Sequence, residues 1–464
     1  MKTTSRRQVI QGIGFSAIAV GAAGLLAACQ GQSAAPSSKA AATSPAAPAS
    51  AQPASTAAPA AQNSSSASSG KTVVHFWHPW GTAQAKPIND LISAFNKGSK
   101  DTVVDATFIP TDQLIQKVLA SFSAGQPPET TPGSPFNLPA FADAGQLADL
   151  GTYAKPGQID DKDIYPGPYS VMKYKGEIYS LAITVGAVAQ FVNKDLATAA
   201  GLDVSKPPET WDDLVNWAKA MNKPADKQFG FMIDNDGTNG AAQLWVPYLW
   251  QNGGDMFNAD NTKTIFNQAP GVEALQFWVD LIHKYQVMPQ NGYASNQIVE
   301  VYGTGKLGIF QEFPFYLAQV GDFKFASATM PLPKKKQAAS TLGGWYFPVF
   351  AKSQHPQNAW EFLWWLYQPE NAAQLNIGMG NLPTKKSTTD SKAYQDYLQK
   401  FPLPKAFVDM LPVARAWAPI KVMPEVTNTL GQAIQAATYQ KSTPQQALDD
   451  AAVKCDKLLA TLKN

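Results

Sequence analysis

The chain has 464 residues with 37 Lys plus Arg against 35 Asp plus Glu, a formal charge of +2, which excludes a strongly basic nucleic-acid binder. With 45% apolar and 11% aromatic residues it exceeds the size at which one core keeps growing, so two domains are expected. The two cysteines, Cys29 and Cys455, lie in segments of unlike composition, which excludes a disulfide framework.

The chain opens on Ser5-Arg6-Arg7-Gln8, followed by an uncharged Gly/Ala-rich run from Val9 to Ala28 that ends at Leu26-Ala27-Ala28-Cys29. Two arginines ahead of a weakly apolar run read as an export signal over 1–28, because glycine and alanine contribute too little for a permanent membrane span. From Gln30 to Gly70 the residues are almost wholly Ala, Ser, Pro, Gln, Thr and Gly. Such a stretch has no apolar surface with which to offset chain entropy, and it reads as a flexible linker over 29–70 reaching on the order of 35–40 Å.

Patterned sequence begins at Thr72-Val73-Val74-His75-Phe76-Trp77, a β-branched and aromatic strand. A helix follows with Ile88, Leu91, Ile92 and Phe95 on one face, then a strand over Val103–Ile109 and a helix from Thr111 carrying Leu114, Ile115, Val118 and Leu119. Strand and helix in alternation predict a parallel α/β layer. Past Gly145 turns are expected until an extended run over Glu177–Asn193, where the chain leaves its first domain. Thr210 with Asp213 three residues on predicts a capped helix. Further helices are expected over Gly240–Asn252, bent by Pro247, and Gly271–Tyr285, with strands at Leu307–Phe310, Thr329–Leu332 and Trp345–Ala351. A Trp-rich helix around Trp360 and a helical tail over Lys405–Asn464 complete the chain.

Several phrases in this order resemble the extracellular solute-binding proteins of ABC importers, in particular the carbohydrate-binding family that includes maltose-binding proteins. They are Phe76-Trp77-His78-Pro79-Trp80-Gly81, Phe141-Ala142-Asp143-Ala144-Gly145, Val192-Asn193-Lys194-Asp195-Leu196, Pro208-Glu209-Thr210-Trp211, Trp250-Gln251-Asn252-Gly253-Gly254-Asp255 and Gly343-Gly344-Trp345. The leader likewise resembles a twin-arginine signal joined to a lipoprotein box, with Cys29 as the lipidated first mature residue; Gln11 stands where that signal often has a base, which leaves a general secretory route open. One departure is Gln126-Pro127-Pro128-Glu129 ahead of a segment poor in strand formers, where the family usually has Pro-Asp and an apolar strand.

The resemblance implies a two-lobed α/β periplasmic-binding-protein fold with parallel-rich sheets, hinge crossovers and a ligand enclosed on lobe closure. Lobe 1 is expected over 71–185 plus 329–380 and lobe 2 over 186–328 plus 381–464, with hinges near Thr184–Val188, Thr329–Leu332 and Gly380–Pro383. The expected protein is a monomer at the extracytoplasmic membrane face, lipid-anchored, needing no cofactor. Its partners are a carbohydrate and the permease subunits, with no nucleic acid.

A neutral sugar presents CH-rich faces and a rim of hydroxyls, so its site needs aromatic platforms and a few planar polar groups. Trp80 follows a parallel strand, where open α/β sheets place ligands, and Phe136 occupies an analogous loop. His78 adjoins Trp80; Trp245 and Trp250 lie on one helix; Gly344 precedes the platforms Trp345 and Tyr346; Glu312 and Arg415 supply an acceptor and a fork donor. Each has a core-packing or ion-pair alternative. Neither a G-x-S-x-G nor an H-E-x-x-H appears, and Gly303-Thr304-Gly305-Lys306-Leu307 lacks the spacing of a phosphate loop. His75 and His78 are three apart on a strand, hence on opposite faces. The alternatives are a lipid-anchored glycosidase with distant carboxylates, a binding protein for a phosphorylated polyol or other non-sugar solute, and a surface sensor on the same fold.

Overall fold

The computed structural model describes residues 70–290 and 292–463. The expected export signal, Cys29 and nearly all of the linker lie outside the described residues. None of the described helices is long and apolar enough to cross a membrane.

The first two strands, β1 (Thr72–His78) and β2 (Thr102–Phe108), pair in parallel around helix α1 (Thr82–Gly98). β1 buries Val74, Phe76 and His78 on one side and turns His75 outward, the period-two alternation of a half-buried strand. Helix α2 (Thr111–Ser123) follows, with Leu114 and Val118 buried. The Pro-rich departure has a structural counterpart: the third strand shrinks to one residue, Thr130, bridged in parallel to Phe76 and antiparallel to Val349. Prolines lack the N–H a ladder needs, so Pro127 and Pro128 leave no room for a regular strand. A short helix α3 (Leu138–Asp143) comes next. A second helix, over Pro166–Met172, occupies the stretch expected to be turns; its prolines sit in the first turn, where a missing N–H costs nothing. Its Gly167 is required by packing, since a Cβ there would fall 2.5 Å from the Ala414 carbonyl oxygen.

Strands β3 (Ser180–Ala187) and β4 (Ala189–Asn193) are continuous through Val188 and belong to different sheets. In the second sheet, β5 (Phe229–Met232), β6 (Leu307–Glu312) and β7 (Ser327–Met330) lie in the order β5-β6-β4-β7, with β5 parallel to β6 and β4 antiparallel to both its neighbours. Strand β8 (Ser340–Pro348) returns to pair with β3, which also takes β9 (Leu382–Pro383) on its other edge. β8 starts earlier than its sequence suggests because Gly343 and Gly344, which read as breakers, pair with Gly186 and Val185. The fold is thus the expected periplasmic-binding-protein α/β architecture. Its larger sheets are mixed, because β3 and β4 run against their neighbours.

The helices around the second sheet are α4 (Trp211–Met221), α5 (Asn239–Gln251), α6 (Ala269–His283) and α7 (Ser295–Gly303). Thr210 and Asp213 form the predicted capping box of α4. Helices α8 (Pro356–Leu366) and α9 (Pro369–Met379) pack with α1 beside the first sheet. Beyond Phe401 the chain touches the second sheet, where the Thr329 hydroxyl on β7 donates to the Leu403 carbonyl at 2.7 Å. Within Gly380–Pro383, expected as a hinge, Leu382 and Pro383 pair with Val185 and Thr184 of β3. The tail is not continuously helical: α10 (Lys405–Met410) ends in a short strand β10 (Ala414–Arg415) parallel to β8, and only then come α11 (Met423–Thr438) and α12 (Pro444–Ala460).

Candidate functional site

Trp80, in the loop after β1, and Trp345, on β8, meet edge to face with ring centroids 6.0 Å apart and planes at 79°. Opposite them stand Phe315 and Tyr316, in the turn that follows β6; all four rings line one cavity of about 490 Å³. Thr111, Gln319 and Asn381 add neutral polar groups, and Pro79 and Met379 complete the wall. Both aromatic pairs follow the carboxyl ends of strands in parallel pairs or sit on crossing strands, where this class of sheet leaves a crevice. No lining side chain carries a formal charge at neutral pH. The arrangement suits stacking against an uncharged ring with a few hydrogen bonds at its rim.

Behind the Phe315–Tyr316 wall lies a buried acid pair. Asp234, just past β5, accepts from the Ser295 amide and hydroxyl at 3.2 and 3.0 Å and from the Asp236 amide at 3.1 Å. Glu312, at the end of β6, accepts from the Phe313 amide at 3.0 Å. Burial lifts both carboxyls to about 7; the negative Asp236 adds to the rise at Asp234, and the negative Asp234 adds to it at Glu312. Burial also pushes the Tyr316 phenol up to about 12, with the negative Glu312 and Asp234 adding to it.

Residues 79–373 match the model of the bacterial extracellular solute-binding proteins. The chain belongs to that family. A structure of a cyclic α-maltosyl-1,6-maltose binding protein from Arthrobacter globiformis is similar over 84% of this chain and 99% of its own, at 27% identity and a TM-score of 0.76. The sugar-binding protein of Xanthomonas citri shares the fold at 21% identity and a TM-score of 0.75, over 84% of this chain and 98% of its own. Among relatives by sequence, the sn-glycerol-3-phosphate-binding periplasmic protein of Escherichia coli (strain K12) is 23% identical over 84% of this chain and 92% of its own. Solute-binding proteins of this family are non-catalytic.

Within this solute-binding protein the sequence-predicted residues separate into several places. Trp80 and Trp345 line the cavity together. His78 is buried behind them, stacked on Trp80 at 5.6 Å, and its Nδ1 has no partner among the described residues; burial lowers its pKa, so it is a neutral prop. Phe136, Trp250 and Arg415 gather away from the cavity around Trp417, which meets the edges of both rings at about 6 Å. There the Arg415 guanidinium lies 4.6 Å over Trp250 and pairs with Asp255 at 2.6 Å. Trp245 is fully buried, because α5 packs against α6, α11 and β8 and has almost no outward face. Tyr346 is buried on the far side of the β8 bulge, and Gly344 holds φ +142° where a Cβ would come within 2.6 Å of the Thr184 carbonyl oxygen.

Phe315 and Tyr316 are the cavity residues that sequence reasoning overlooked. The signal exists in the chain: they lie in the loop directly after β6, as Trp80 lies in the loop directly after β1.

Proposed function

We propose that this solute-binding protein captures a neutral carbohydrate, a di- or oligosaccharide, between its two lobes and delivers it to the permease of an ABC importer. The observation that carries this reading is the four-ring, charge-free lining of the 490 Å³ cavity. Stacking rewards CH-rich sugar faces, while Thr111, Gln319 and Asn381 serve hydroxyls. A monomer tethered by a lipid on Cys29, exported through the leader over 1–28 and carried on the linker over 29–70, gives such a receptor reach from the membrane. The lobe division is proposed to follow the two sheets, with 71–185 and 186–328 as the first halves of lobes 1 and 2. A phosphorylated polyol, the ligand in the name of the Escherichia coli relative, needs a cation at its anion. The cavity wall offers none, and Arg415 is committed to Asp255.

A thermal-shift screen of the full chain against mono-, di- and oligosaccharides, glycerol 3-phosphate, amino acids and peptides tests the proposal. A sugar at 100 times its dissociation constant is expected to stabilise by about 2.7 kcal/mol and to be recovered unchanged. Stabilisation by glycerol 3-phosphate with no response to any sugar overturns it.

A further inference from the structure

A second cavity, of about 230 Å³, lies beneath α2 in the first lobe. Leu114, Val118, Leu138, Phe141, Tyr346 and Phe350 are among its wall residues. It shares Thr111 and Trp345 with the ligand cavity, so the Trp345 indole is the partition between the two. Several of its side chains, Leu114, Val118, Leu138 and Phe350 among them, make a small core separate from the main one.

Protein interiors seldom leave voids larger than a water molecule, and an apolar cavity of about 150 Å³ already admits a benzene ring. This cavity is larger than that and adjoins the ligand site. A sugar ring is the wrong occupant, since its hydroxyls would lose water and find few partners among these side chains. The wall has one unmet polar group: the Tyr346 hydroxyl is buried with no hydrogen-bond partner among the described residues. That hydroxyl has no accessible surface, so it is closed to an occupant of the cavity, which meets mainly apolar side chains instead.

We propose that the cavity is a side pocket for an apolar substituent on the captured sugar. The ligand class is then a glycoside bearing an aryl or short alkyl group. The glycosidic end lies at Trp345, with the sugar on the cleft side of the indole and the substituent on the α2 side. This inference rests on the carbohydrate reading above and narrows its substrate class.

Calorimetric titration of the full chain with maltose, cellobiose and lactose, each beside its 4-nitrophenyl glycoside, tests it. For at least one disaccharide the aryl glycoside is expected to bind ten-fold or more tightly than the free sugar. Leu138→Trp and, as an independent filling of the same space, Val118→Phe are expected to erase that gain and leave the affinity for the free disaccharide unchanged. A free disaccharide that binds as well as its aryl glycoside overturns the side pocket and leaves the carbohydrate reading standing. A gain that survives in both filled variants also overturns it, because the aryl group then sits elsewhere. If none of the six compounds binds while glycerol 3-phosphate does, the carbohydrate reading itself falls and takes this one with it.

Discussion

The two aromatic walls of the ligand cavity are built to different standards of rigidity. Trp80 is 5% exposed, stacked on His78 and braced by Phe76 and Phe347 with centroids 6.4 and 6.2 Å away, so its ring is part of the first lobe's core. Phe315 is 51% exposed and, among the described rings, touches only its chain neighbours Phe313 and Tyr316, at 5.3 and 5.6 Å. One wall is organised before ligand arrives. The other has the freedom to settle against ligand, and ordering it on binding costs side-chain entropy. In the proposed sugar complex, the fixed wall would set the sugar's orientation and the loose wall would complete the enclosure.

The largest expected effect breaks the fixed wall. Trp80→Ala is expected to destabilise the protein by about 3–5 kcal/mol, as for other buried tryptophans, whereas Trp345→Ala, on the same wall and half-buried, is expected to cost roughly 2 kcal/mol or more in ligand binding with a smaller loss of stability. Chemical denaturation alongside titration with the tightest sugar from the screen separates the two; equal destabilisation by both would erase the distinction within the wall. On the loose wall, Phe315→Ala is expected to weaken sugar binding by about 1.5 kcal/mol, the lower end for burying a Phe ring, while leaving the melting temperature of the free protein where it was. A lowered melting temperature would show that Phe315 is already fixed without ligand.

The smallest effect concerns the acids behind that wall. Glu312 is raised from 4.5 to about 7 by burial, so the folded state holds its proton more tightly than the unfolded state does. Stability is therefore greatest below the ordinary carboxylate range and is lost as pH rises through about 7. Glu312→Gln removes this contribution, and its melting temperature is expected to fall less than the wild type's between pH 5 and pH 8. Parallel curves for the two proteins would mean that Asp234 alone carries the titration.

The elements that sequence patterning made legible are those with strong local signals. The alternation in Thr72–His78, the i, i+3, i+4 spacing of α1 and α2 and the Thr210/Asp213 capping box are satisfied within a few residues of chain, and each forms as expected. The helix over Pro166–Met172 and the early start of β8 were hidden because Pro and Gly report local preference, while Gly167 and Gly344 are demanded by neighbours distant in sequence. The site divides in the same way. Trp80 and Trp345 were legible from their place beside strands; Trp245, of the same residue type on a Trp-rich helix, is entirely core.

Local patterning by itself determined an α/β chain with strands and helices in alternation, because such patterning depends on local preference, and the phrases that resemble the solute-binding family pointed to a receptor. The tertiary structure decided which aromatic rings share a cavity, that Phe315 and Tyr316 form its second wall, that Arg415 is neutralised by Asp255, and that an apolar chamber lies behind Trp345. Those facts depend on how two sheets and the helices between them close on one another, and burial of a given Trp or Arg is a property of that closure rather than of its neighbours in the chain.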